Sequence, residues 1–153
     1  MANTYSQIHL QFVFAVKHRQ SLISDHWKEQ LYQYITGIIQ NQGHKLLAIN
    51  GMPDHIHIFI GMRPSQSVSD LLKDIKRSSS LWINQNRYVI GKFEWQEGYG
   101  AFSYSKSHID QVIKYIDNQE EHHGKISFRE EYLNFLKKFE IDYDEKYIFD
   151  EVI

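Results

Sequence analysis

A chain of 153 residues, 42% hydrophobic and 24% charged, is long enough to enclose one hydrophobic core and needs no second domain. Zero cysteine excludes a disulfide framework, a thiolate zinc site and a cysteine nucleophile, and suits the cytoplasm. The net charge of −2 divides unevenly, with 11 Lys and Arg against 7 Asp and Glu in residues 1–106 but 6 against 12 in residues 107–153; the overall charge gives no reason to expect tight non-specific duplex binding, and a nucleic-acid partner must be argued from individual sites.

From Tyr5 to Val16, Ile8, Leu10, Phe12, Phe14 and Val16 alternate with Gln7, His9, Gln11, Val13 and Ala15. This period of two predicts a long first strand. Its apolar stretch is broken by His9 and Gln11 and is too short to cross a bilayer, so no membrane segment or signal peptide is expected. Lys17-His18-Arg19 follows as a basic turn. Trp27, Leu31, Tyr34, Ile35, Ile38 and Ile39 recur at helical spacing, with Ser24 or Asp25 as the expected N-cap and Gly43 as terminator. Lys45 to Asn50 predicts a second strand, and Gly51 to Asp54 a turn.

Pro53 to Ile60 (PDHIHIFI) is the most informative stretch. Alternation sends Ile56, Ile58 and Ile60 to a core and sets His55 and His57 together on the other strand face, two residues apart, where both imidazoles can reach one divalent ion. If the first strand shares that core, His9 and Gln11 lie on the histidine face as well. Ser67 to Asp70 has capping-box spacing and opens a helix with Val68, Leu71, Leu72, Ile75, Trp82 and Ile83 on its apolar side. Lys73, Lys76 and Arg77 occupy its other side next to Ser78, Ser79 and Ser80, a combination of cations and small hydroxyls suited to phosphate. Phe93 to Tyr104 reads as a glycine-broken strand region whose aromatic rings belong either to a core or to the wall of a groove.

The order strand, helix, strand, strand, helix, strand is the ferredoxin-like (RRM-like) βαββαβ plan: α+β, with an antiparallel sheet, two helices on one face, and the histidine face left for something else to cover. Ser107 to Asp110 predicts a further capped helix with Ile109, Val112, Ile113 and Ile116 as its stripe, closing at Glu120 to Gly124. Tyr115 falls off that stripe, in a polar column with His108, Gln111, Gln119 and His122, and Gln119 is one turn beyond it. Ser127 to Glu130 caps a last helix carrying Leu133, Leu136 and Phe139, followed by an acidic, aromatic tail from Ile141 to Ile153 to which no chemistry is assigned. The expected organisation is one domain over 1–153, with a core of about 5–124 and a C-terminal helix and tail over about 125–153.

Three motifs in this order, PDHIHIFI, WQEGYGAFSYS from Trp95 and YIDNQEEHH from Tyr115, make the chain resemble the single-tyrosine HUH transposases of the IS200/IS605 type, including their REP-associated relatives. The resemblance implies a metal-dependent single-strand DNA endonuclease and strand transferase working through a 5′-phosphotyrosine link. It implies that His55, His57 and Gln119 hold one Mg²⁺ or Mn²⁺ and that Tyr115 is the nucleophile. It implies hairpin-bearing single-stranded DNA as substrate. It implies a homodimer, whose tyrosine helix is expected to serve the partner's histidine site. Ligand chemistry alone sits awkwardly with magnesium, because imidazole suits transition metals. Lys17, Arg19, Lys73, Lys76 and Arg77 are the candidate phosphate contacts, and no general base is identifiable. The alternatives are a relative that binds nucleic-acid hairpins without cutting, a ferredoxin-like RNA-binding module using sheet aromatics, and a small metal hydrolase for which Tyr115 is incidental.

Overall fold

The structure is a computed structural model that describes residues 3–143; the tail beyond Tyr143 lies outside the described residues. Four strands, β1 (His9–Ala15), β2 (Lys45–Met52), β3 (His55–Gly61) and β4 (Gly100–Tyr104), form one antiparallel sheet in the order β2-β3-β1-β4. Helices α1 (Lys28–Asn41) and α2 (Val68–Gln85) provide the two crossovers, giving the βαββαβ order expected from the sequence. The register of β1 on β3 pairs Leu10 with Ile60, Phe12 with Ile58 and Phe14 with Ile56. Those side chains share one face and close against Leu31, Ile35, Ile39, Leu71, Leu72, Ile75 and Ile83 of the two helices, all fully buried. Each such aliphatic side chain contributes about 1.5–3 kcal/mol by leaving water.

Several boundaries move for identifiable reasons. β1 begins at His9 rather than Tyr5, because neither neighbouring strand extends past Gly61 or Tyr104 to pair with it, and Tyr5 is 90% exposed. β2 runs to Met52, which pairs with His55, so the turn shrinks to Pro53-Asp54. Gly51 permits this tight hairpin: a Cβ there would lie 2.3 Å from the His55 carbonyl oxygen. α1 starts two or three residues later than expected, with Trp27 rather than Asp25 or Ser24 at its N-cap position. The Ser24 carbonyl, not its side chain, accepts from Trp27 N and Lys28 N and makes a preliminary turn. Gly43, at φ +86°, ends that helix as its sequence position suggests.

Ser67 caps α2 by accepting from Asp70 N at 3.1 Å. Ser79, expected beside the phosphate-suited cations, is turned inward instead: its Oγ donates to the Ile75 carbonyl at 2.6 Å and accepts from Trp95 Nε1 at 2.9 Å. The 93–104 region is half strand, with β4 starting only at Gly100 and Trp95 making a single bridge to Val16. Its aromatics are mostly core, Phe93 and Trp95 on the α1/α2 side and Phe102 on the other.

That other face is covered by α3 (Ile109–Asp117), α4 (Gln119–His123) and α5 (Phe128–Lys138). Val13, Ala15 and Phe102 pack against Phe128, Phe135 and Leu136, while Ala48 and Phe59 pack against Val112 and Ile116. Ser127 caps α5, accepting from Glu130 N at 3.2 Å. Three details of this layer differ from expectation. Ser107 makes no cap, since its hydroxyl is engaged with Ser105 and His108 in a short 3-10 turn and α3 starts after it. The helix carrying Tyr115 breaks at Asn118 rather than running through His123. On α5, Phe128, Glu131, Phe135 and Leu136 are buried, with Leu133 only half-buried. Among the described residues no helix is long and apolar enough to cross a membrane.

Candidate metal and tyrosine site

The site begins with the alternation in β3. Ile56 and Ile58 take the α1/α2 side, which turns His55 and His57 under α3, α4 and α5, where they are 1% and 0% exposed. A buried imidazole needs partners for both nitrogens. Asp54 Oδ1 lies 2.8 Å from His55 Nδ1, which fixes the proton there and leaves Nε2 as an acceptor aimed into the site. The His55 ring lies flat on Phe128 of α5, centroids 3.8 Å apart. Gln11 shares this face: its Nε2 is 2.9 Å from His57 Nδ1, and its Oε1 accepts from the Tyr104 hydroxyl at 2.9 Å. His9 lies on it too but reaches only Phe59.

Tyr115 and Gln119 arrive from above, on either side of the helix break. Asn50, opposite His57 in the sheet, donates to the carbonyls of Ile116 and Asp117 at 3.0 and 3.2 Å. Those are the last acceptors of α3, and drawing them toward the sheet ends the helix there. Gln119 is thereby turned inward and is fully buried, with Oε1 3.3 Å from His55 Nε2. The Tyr115 ring stands edge-on to His57 at 5.9 Å, and its hydroxyl donates to Glu131 while His122 Nε2 lies 2.9 Å away. His55, His57, Tyr115 and Gln119 therefore meet within one chain.

Glu131 at the centre is a residue that sequence reasoning missed. Its Oε1 lies 2.9 Å from His57 Nε2, 3.2 Å from His123 Nε2 and 3.6 Å from His55 Nε2. Its Oε2 faces Tyr115, His122 Nε2 at 3.2 Å and Gln119 Nε2 at 3.4 Å. Burial alone would raise its pKa, but the imidazoles of His57, His123 and His55 hold the carboxyl far below the ordinary range, so it is an anion. Burial, and then the charge of that anion, push the Tyr115 phenol well above its usual value. Burial lowers the pKa of His55 despite Asp54, whereas at His123 the attraction of Glu131 overcomes burial and raises it. Ligand atoms from His55, His57, His123 and Glu131 lie within 4.8 Å of one another. Such a donor set fits a divalent cation.

Two clefts give access. One of about 330 Å³ is lined by Gln11, Tyr104, Tyr115, Glu131, Phe135 and Lys138, among others, and one of about 320 Å³ by Lys114, Tyr115, Asn118 and Lys125, among others. Tyr115 lines both.

The five candidate phosphate contacts are not gathered with these groups. Lys17 pairs with Glu94 at 3.1 Å, and Arg19 lies near enough to Asp54 to help hold its carboxyl down. Lys73 and Arg77 are exposed on α2, across the sheet from the histidines. Lys76 is spent on the fold: its Nζ donates to the carbonyls of Gln96 and Gly98 and lies over the rings of Phe14 and Tyr99. Burial lowers its pKa to about 8.

Known proteins resemble the chain in sequence and in fold. A family described as "Transposase IS200 like" matches residues 4–119. The chain is 23% identical over 118 residues to the ISDra2 transposase TnpA of Deinococcus radiodurans, covering 74% of this chain and 84% of that protein. A crystal structure of a Deinococcus radiodurans R1 protein superposes with a TM-score of 0.58 at 24% identity, covering 78% of this chain and 96% of the other. A REP-associated tyrosine transposase bound to a REP hairpin superposes with a TM-score of 0.62 at 15% identity, over 82% and 74% of the two chains. The last two likenesses are of fold.

Proposed function

The chain belongs to the IS200-like transposases, and on that premise we propose that it is a metal-dependent single-stranded DNA endonuclease and strand transferase with Tyr115 as nucleophile. One observation carries the reading: the Tyr115 hydroxyl sits beside the buried histidine pair and hydrogen-bonds Glu131, the carboxylate that also faces His57. A free phenol, with a pKa near ~10, is a weak nucleophile at neutral pH and must hand its proton to something. Here the Glu131 carboxylate accepts a hydrogen bond from the hydroxyl and orients it. The Tyr115 proton passes to solvent, its oxygen bonds the phosphorus, and the P–O3′ bond breaks. The departing 3′ oxygen takes a proton from solvent, leaving DNA joined through a 5′-phosphotyrosine. The same steps in reverse, with another strand's 3′-hydroxyl, rejoin ends without an external energy source. His55, His57 and Gln119 would hold Mg²⁺ or Mn²⁺. A bound ion would supply Lewis-acid chemistry at the phosphoryl oxygens and help orient the ester for in-line attack.

Substrate and assembly follow from the same reading. Hairpin-bearing single-stranded DNA is the substrate, supported by the hairpin held by the REP-associated neighbour. Lys17, Arg19, Lys73 and Arg77 are the proposed phosphate contacts; Lys76, engaged by the Gln96 and Gly98 carbonyls, is set aside. Moving a segment requires two cuts, and each chain offers one such tyrosine, so the working unit is a homodimer.

The test is a denaturing gel with labelled hairpin DNA from the flanks of the gene, in the presence of Mg²⁺ or Mn²⁺. A labelled band that stays with wild-type protein and disappears in Tyr115→Phe supports the transposase. Free cut product without an adduct would point to a hydrolase, and binding without cutting to a hairpin-binding relative.

A further inference from the structure

We infer that His123 and Glu131 are themselves ligands, completing with His55 and His57 a site of three imidazole nitrogens and one carboxylate oxygen for a transition-series ion such as Mn²⁺, Zn²⁺ or Co²⁺. This deepens the metal-binding part of the reading above and depends on no DNA chemistry. Proton placement is the argument. His55 Nδ1 is held by Asp54 Oδ1 at 2.8 Å, and His123 Nδ1 by the Ile126 carbonyl at 3.0 Å. Both acceptors demand a proton on Nδ1, so in the neutral rings both Nε2 atoms present bare lone pairs. His123 Nε2 lies 3.2 Å from Glu131 Oε1, and His55 Nε2 lies 3.3 Å from Gln119 Oε1 and 3.6 Å from Glu131 Oε1, all of these oxygens being acceptors as well.

Lone pairs converging on one point need a cation, and every ring nitrogen on the far side is already anchored. His57 completes the set through Gln11. Gln11 sets Nε2 against His57 Nδ1 and Oε1 against the Tyr104 hydroxyl; turning that amide over by 180° would set Oε1 against His57 Nδ1, move the His57 proton there and free its Nε2. Glu131 Oε1 then serves the ion while Oε2 keeps Tyr115, tying nucleophile and ion to one side chain. Three imidazoles favour a transition ion over magnesium, which prefers oxygen.

The test uses metal-free full-length protein without DNA, titrated with Co²⁺. One ion per chain binds, giving the intense visible bands of a low-coordinate nitrogen-rich site; Zn²⁺ displaces it and millimolar Mg²⁺ does not. His123→Gln and Glu131→Gln, which nearly preserve volume, each weaken Co²⁺ binding by about tenfold or more. Wild-type affinity in either variant overturns the assignment. A second measurement needs no variant: the Co²⁺ protein shows three paramagnetically shifted, exchangeable imidazole N–H protons by NMR. Two such signals, the count for His55 and His57 alone, overturn it equally. Failure of Tyr115 to form a DNA adduct leaves each of these outcomes unchanged.

Discussion

At the scale of single residues, what decides the site is the partner each polar side chain finds when it is buried. Gln11 is the clearest case, because it joins His57 to Tyr104 without being a candidate ligand itself. Gln11→Leu fills similar space but leaves His57 Nδ1 without a partner. Ion affinity is expected to fall by about 10–100-fold, with the circular dichroism spectrum unchanged; titration of the metal-free protein with Mn²⁺ measures it. Ser79 makes the same point away from the site. Its hydroxyl accepts from the buried Trp95 indole N–H, so Ser79→Ala orphans that donor and is expected to cost about 1–3 kcal/mol in urea denaturation. His55 and His57 are legible in the sequence because a strand alternates and a pair of imidazoles breaks an otherwise aliphatic run. Glu131 is not. It stands among 12 acidic residues after residue 106, and a helical glutamate usually belongs to the wet side. Only its position three residues after Phe128 and four before Phe135, both buried, marks it as facing the sheet.

At the scale of elements, local signals were reliable where the chain alone sets the outcome and failed where another element intervenes. Ser67 and Ser127 cap their helices because each needs only the amide three residues on. The break after Asp117 could not be read the same way, since the helical periodicity runs on without interruption and the cause is Asn50, a residue 66 positions from one carbonyl it binds and 67 from the other. That break aims Gln119 at His55. Asn50→Ala removes both hydrogen bonds, for a stability loss of about 1–3 kcal/mol in thermal or urea melts. Adduct formation by the folded variant is expected to fall further than that loss explains, because α3 can then continue past Asn118 and carry Gln119 away. A variant equally destabilised in the other layer, such as Ile39→Val, serves as the comparison and keeps full adduct yield per folded molecule.

At the scale of the whole molecule, the sheet separates two jobs. Its α1/α2 face carries the main core, and its α3–α5 face carries the histidines, Glu131 and Tyr115. The proposed phosphate contacts divide accordingly. Lys17 comes two residues after β1, next to Val16, whose N bonds the carbonyl of Asp54, so it stands at the His55 end of the site. Lys73 and Arg77 stand across the sheet on α2, and a strand cannot touch them and Tyr115 without passing around an edge. A folded hairpin with a single-stranded arm can do both; a short cleavable oligonucleotide cannot. The double variant Lys73→Glu, Arg77→Glu is therefore expected to weaken hairpin binding and to reduce the slope of log affinity against log salt by about 0.7–0.9 for each phosphate that the variant no longer neutralises. Its adduct yield on an oligonucleotide carrying only the cleavage site stays at the wild-type level. Lys17→Glu reverses the pattern, lowering the yield on the short strand. Equal losses on both substrates in the α2 variant would mean that the DNA crosses that helix on its way to Tyr115, and the division of labour between the two faces would fall.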